Sequence, residues 1–184
     1  MKTKITMAIV LSAFLALVSC GGGDVKNSAE YKNLKASLDK IEKQDSLEKA
    51  NIEAYKKLNE DFMAGKKDEV MAIYADDYED HNCDSSMSKK KGKEAMGEMM
   101  DWVTATHSNM SMTYDHIYAE DDMVYAHGKM KGKNTGTVDP KYPATNKSFD
   151  VDYFEIVRFK DGKIKERWGL MDSKTAEKQL GVQW

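Results

Sequence analysis

Two cysteines in 184 residues are too few for a disulfide framework or a cysteine-rich zinc module. Two prolines carry no functional signal. Charge of one sign is missing too. The 28 basic and 31 acidic side chains leave a formal net charge of −3, without the electrostatic footprint of a nucleic-acid binder. No apolar run reaches the ~20 residues of a comfortable membrane span. No internal repeat stands out. What is present is a globular balance, 41% hydrophobic and 32% charged, which excludes wholesale disorder and implies a very polar surface. The 13 methionines suit irregular core packing.

Lys2 and Lys4 precede two short apolar runs, Met7–Leu11 and Ala13–Val18. Together they have the length of a signal-peptide core. The segment closes in Leu17-Val18-Ser19-Cys20-Gly21, which resembles the lipobox of bacterial lipoproteins. That resemblance implies cleavage before Cys20 and acylation of its thiol and new amino terminus. Several acyl chains anchor a protein at ~0.8 kcal/mol per buried methylene, without a transmembrane helix. The expected address is the bacterial cell envelope, at the periplasmic face of the outer membrane in a Gram-negative cell. Cys83 is then the remaining thiol, expected to be buried and inert.

Residues 20–27, with Gly21-Gly22-Gly23, form an expected tether. Tyr31, Leu34, Leu38 and Ile41 make a seam-like stripe that Asp45 and Glu48 interrupt. A stalk helix over 28–45 and a domain over 46–184 follow. Ile52, Tyr55, Leu58 and Phe62 mark a second helix, stopped by Gly65. Asp68 caps a short third one. Residues 92–106 read as a helix with Met96, Met99, Trp102 and Val103 on its buried face. The period then changes to two. Strands are expected over about 110–118, from about Val124, over 148–159 and over 164–171, with Asp161-Gly162 as a hairpin turn and a short helix after them. Helices first and a meander afterwards give an α+β class.

Four segments of this chain resemble the SnoaL-like branch of the nuclear-transport-factor-2-like superfamily. Tyr78-Glu79-Asp80-His81-Asn82 resembles its Tyr-x-x-His-Asn segment. Gly132-Lys133-Asn134-Thr135-Gly136 resembles its Gly-Thr-His-Thr-Gly strand end. Pro143-Ala144-Thr145-Asn146-Lys147 resembles its Pro-Pro-Thr-Gly-Lys loop. Arg158 to Ile164, followed by Glu166-Arg167-Trp168, resembles its Phe-Arg-x-x-Asp-Gly-Lys-Ile-x-Glu-His-Trp-Asp signature. The implied fold is a cone: a curved, mainly antiparallel sheet wrapped around N-terminal helices, enclosing an apolar pocket. The family holds polyketide cyclases, isomerases and dehydratases, and fold alone does not choose among them. Three polar positions depart from the pattern. Asn134 and Arg167 stand where His is usual, and Gly169 where Asp is.

Glu155 shares the apolar row of Phe149, Val151, Tyr153 and Val157. A carboxylate there needs a reason. As a desolvated general base it would serve catalysis; as a partner of an Arg it would be structural. The resemblance places Glu155 at the family's pocket acid or base, and His81 at its pocket-rim His. Tyr78, Met112, Tyr114, His116, Tyr153 and Trp168 are the expected pocket lining, with His127 on the opposite face. His107 reads as a helix-end residue. Asp80, His81, Cys83 and Asp84 cluster without a second ligand pair, so neither metal nor cofactor is expected. Three roles stay open. The preferred one is a lipid-anchored domain binding a small apolar ligand. The others are an acid–base enzyme using Glu155 and His81, and a structural homodimer formed through the face of His127.

Overall fold

The computed structural model describes residues 28–82, 90–140 and 143–182. The expectations for residues 1–27, including Cys20, and for Cys83 lie outside these residues. The chain divides into two compact units at Lys49 and Ala50.

Helix α1 runs Ala29–Met63, 35 residues without a break. Ser28 Oγ caps it by accepting from the Tyr31 amide at 3.1 Å. The expected stalk and domain helices are therefore one. No Gly or Pro lies between Ala29 and Met63, so losing the apolar stripe at Asp45 ends a seam but not the helix. In the first unit no described residue is buried. In the second, Asn51, Tyr55, Leu58 and Asp61 form the buried stripe of α1. Gly65 ends the helix at φ +71, with the Lys66 amide donating to the Asp61 carbonyl at 2.9 Å.

Short α2 (Lys67–Ile73) feeds strand β1 (Tyr74–Asp80). Helix α3 (Gly92–Thr106) follows, burying Ala95, Met96, Gly97 and Met100. Four further strands complete the sheet: β2 (His107–Glu120), β3 (Met123–Asn134), β4 (Ser148–Lys160) and β5 (Lys163–Met171). Asp161 and Gly162, both at positive φ, make the tight β4–β5 hairpin. Helix α4 (Ser173–Leu180) is capped by Asp172, which accepts from the Thr175 amide at 3.0 Å. The five-stranded sheet has the order β1-β5-β4-β3-β2. Only β1 pairs in parallel, against β5, because the chain passes through α3 and the meander before reaching it. None of the described helices is long and apolar enough to cross a membrane.

The inner sheet face carries Val124, Ala126, Val151, Tyr153, Val157 and Phe159. It packs against Tyr55, Leu58, Val70, Met96 and Met100 from the helices. Helix α4 closes one end through Ala176 and Leu180 on Phe149 and Val151.

Of the register shifts in the sheet, two decide which of the candidate site residues on β2 and β5 face inward. On β2, Tyr114 pairs with Gly128 but His116 pairs with His127, so Asp115 is an extra residue. On β5, Glu166 pairs with Arg158 but Ile164 pairs with Phe159, so Lys165 is extra. Each bulge reverses the alternation beyond it.

Candidate functional site: a carboxylate–arginine core

The apolar row predicted around Glu155 is the buried row of β4. Phe149, Val151, Tyr153, Val157 and Phe159 are each at most 6% exposed. Within it, both oxygens of Glu155 are engaged. Arg167 Nε donates to Oε1 and the Tyr55 hydroxyl donates to Oε2. Arg167 then reaches on to Asp80, with Nη1 donating to Oδ2 at 2.8 Å. The Tyr78 hydroxyl donates to the same Asp80 oxygen at 3.0 Å. Asp80 Oδ1 accepts from the Asn82 amide at 3.0 Å. The side chains of Glu155 and Asp80 are 10% and 7% exposed, so this cation neutralises charge that is largely withdrawn from water.

Each element contributes by register. Arg167 pairs with Val157 on the inner face, because the bulge at Lys165 turns it there. Asp80 ends β1 opposite Arg167. Tyr55 reaches across from α1. Gly169 faces Glu155, and a Cβ at that position would lie 2.5 Å from Arg167 Nη2. Two departures from the family pattern, Arg167 and Gly169, are thus one steric solution: the larger cation occupies the space that the glycine leaves.

Burial raises the pKa of every phenol nearby. Desolvation is the leading cause for Tyr55, reinforced by the charge of Glu155. Desolvation likewise raises Tyr74, Tyr78 and Tyr153, and pushes Tyr114 up to about 12. Against its own desolvation, Arg167 is held well above the usual guanidinium range by Glu155 and Asp80. The phenols therefore stay neutral donors and the guanidinium stays charged. The Asn51 amide nitrogen is buried without a hydrogen-bond partner among the described residues.

Of the residues expected around the pocket, Tyr78 and Tyr153 are buried and Tyr114 and Met112 pack on the same core. The Tyr114 ring meets those of Tyr55 and Tyr153 edge-on, at 6.0 and 6.5 Å. His116 and Trp168 differ from expectation. Both stand on the outer face, His116 because of the bulge at Asp115 and Trp168 because of that at Lys165. His81 joins them there. Its ring stacks on Trp168 at 4.4 Å, and its Nε2 lies 3.0 Å from Glu166 Oε2. Glu155 and His81 therefore occupy opposite faces of the sheet and do not meet one substrate.

His107 follows α3 as its C-cap, with burial lowering its imidazole pKa. Among the described residues, no three His, Cys, Asp or Glu side chains stand together so as to hold a metal ion. Two hollows among these residues, about 460 and 130 Å³, lie elsewhere. One is bounded by Lys131, Lys133 and Ser148, the other by Gly65 and His107, and Glu155 lines neither. Arg167 and Asp80 were missed as site residues by sequence reasoning. The unusual Glu155 was the only signal pointing to a hidden cation.

Residues 52–180 match the family described as SnoaL-like polyketide cyclase. TsrD from Streptomyces laurentii shares 22% identity at a TM-score of 0.60, over 71% of this chain and 96% of its own. IdmH from Streptomyces antibioticus gives 22% and 0.60, over 72% and 99%. An LEH-like epoxide hydrolase of M. tuberculosis gives 15% and 0.55, over 72% and 90%. At these identities the likeness is one of fold. No curated protein matches the chain.

Proposed function

The chain belongs to the SnoaL-like polyketide cyclase family, and from that premise we propose that it is a membrane-anchored member that binds rather than catalyses. The observation that carries this reading is the state of Glu155. Its oxygens are taken by Arg167 and Tyr55, so no free base faces an open chamber. A general base must reach the proton it abstracts. Here the guanidinium stands in the way, and the second acid–base candidate, His81, is across the sheet.

The two readings differ in sign. A carboxylate kept as a desolvated base weakens the fold, so Glu155→Gln would stabilise it at neutral pH. A carboxylate holding an arginine strengthens the fold. We expect Glu155→Gln to cost about 2–3 kcal/mol near pH 8, as Arg167 loses one of two counter-charges. Thermal melts of the full-length variant and wild type near pH 8 measure this. A variant more stable than wild type near pH 8 would restore the catalytic reading.

The anchor is Cys20 and the site of action the bacterial membrane surface. A small, mostly apolar ligand matches the tyrosine-rich interior in chemistry, and it enters as packed side chains give way, because neither hollow among the described residues opens on Glu155. Native mass spectrometry of the full chain released from membranes reads both features together. The expected protein carries acyl mass that Cys20→Ala abolishes, plus a small molecule lost on collisional heating. An unacylated wild type refutes the anchor, and an empty protein refutes the ligand.

A further inference from the structure

The smaller hollow, about 130 Å³, lies where three elements end or begin. Met63 is the last residue of α1, Val103 belongs to the last turn of α3, and His107 and Met110 open β2. An irregularity in β2 brings the last two together. Residues three apart on a regular strand point to opposite faces. Here Ser108 pairs with Lys133 but Ser111 pairs with Lys131, so β2 carries one extra residue, and Asn109 takes up the bend at φ +52. His107 and Met110 therefore line the same hollow. A Cβ on Gly132 would collide with Met110 Sδ and the Phe149 ring, so the bare glycine gives the thioether its place.

The imidazole is held in one orientation, and its free nitrogen is defined. Its ring stands edge-on to Phe149 at 5.8 Å and tilted against Trp102 at 5.3 Å. Thr106 Oγ1 donates its one proton to the Trp102 carbonyl at 2.6 Å. The bond between the same oxygen and His107 Nδ1, at 2.8 Å, is then donated by the ring. Nδ1 carries the proton, and Nε2 keeps a lone pair with no hydrogen-bond partner among the described residues. Burial lowers the imidazole pKa, which favours this neutral form. A ring fixed through one nitrogen, with the other bare, is the arrangement of a metal-binding histidine.

We propose that this hollow binds a soft monovalent cation, copper(I), through His107 Nε2 and the thioether sulfurs of Met63 and Met110. Thioether sulfur selects copper(I), and imidazole suits it as well. Zinc takes thiolate, imidazole and carboxylate, and finds one ligand of its kind among the residues here. Charge points the same way. No Asp, Glu, Lys or Arg is among the described residues that line the hollow. A divalent ion would bring two uncompensated charges into a half-buried site, a monovalent ion one. The unbranched methionine side chains let both sulfurs close on an ion that the imidazole holds. Neither Glu155 nor Arg167 takes part, so the site stands apart from the interior network.

Competition against a chromogenic copper(I) chelator tests this. The full chain is kept in mild detergent under argon with ascorbate, its thiols alkylated so that cysteine does not compete. One copper(I) per chain should be withheld from the chelator. Met63→Leu with Met110→Leu should weaken binding at least about 100-fold. Leucine fills nearly the same volume, so an unchanged melt of the metal-free variant shows that it is folded. Thr106→Val should weaken binding about 10–100-fold, because the ring loses the partner that orients it, and Thr106→Ser should restore it. In wild type with labelled methionine methyl groups, substoichiometric copper(I) should shift the signals of Met63 and Met110 first. Copper(I) surrendered wholly to the chelator overturns the proposal. So does binding that the leucine pair leaves unchanged, a first shift at other methionines, or zinc held as tightly as copper(I) at the same site.

Discussion

Replacing Arg167 by Met is expected to cost about 3–5 kcal/mol at neutral pH. The loss follows from what remains behind. Glu155 and Asp80 keep their buried positions and lose the cation they share. Removing one partner of a buried ion pair is far more damaging than replacing the whole group by apolar residues. Arg167→Lys should recover only part of the loss. An ammonium is a point charge, whereas the planar guanidinium spans from Glu155 to Asp80 through Nε and Nη1. Adding Glu155→Gln and Asp80→Asn to the Met variant should restore most of its stability. Denaturant unfolding of the full chain measures each step. A Met variant within about 1 kcal/mol of wild type would mean that the network does not hold the core.

The same network shows what could be read from the sequence and what could not. Glu155 was legible as an anomaly because β4 has no bulge in its central run. Parity counted along Phe149, Val151, Tyr153 and Val157 is the true parity, and all four are buried. The Asp161-Gly162 hairpin was legible because residues tolerant of positive φ mark it. The cation was not legible. Counting by twos from the buried Ile164 turns Arg167 outward and Trp168 inward, and the extra residue Lys165 makes both wrong. His116 was misplaced for the same reason, one residue past Asp115. A bulge is a property of two strands, and one strand's alternation cannot reveal it. Nor did Asp45 and Glu48 signal a helix end, since a polar seam position costs packing rather than backbone hydrogen bonds. The family likeness located the fold, but it carried its pocket histidine pattern onto a chain that had exchanged His for Arg and Asp for Gly.

The partner strand does carry a trace of the β2 bulge, and it yields the other large effect. Gly128→Ala is expected to destabilise the domain by at least about 3 kcal/mol. Gly128 lies opposite Tyr114, where the chain bends to admit Asp115. A Cβ on residue 128 would come to rest 1.8 Å from the Thr113 carbonyl oxygen and 3.0 Å from the Tyr114 Cα. Those are backbone atoms of the neighbouring strand, so no rotamer change relieves the clash. Positive φ is not the reason for glycine here; close approach of the two backbones is. To accept the methyl group, β2 must separate from β3 or give up its bulge. Giving up the bulge shifts the alternation by one residue. His116 and Tyr118 would then turn toward the core, and Ile117 and Ala119, which now pack on it, would turn to water. The alanine variant should therefore lose stability. Calorimetric melts of the variant and wild type measure the loss. An alanine variant that melts like wild type would show that the bulge does not set the outer face.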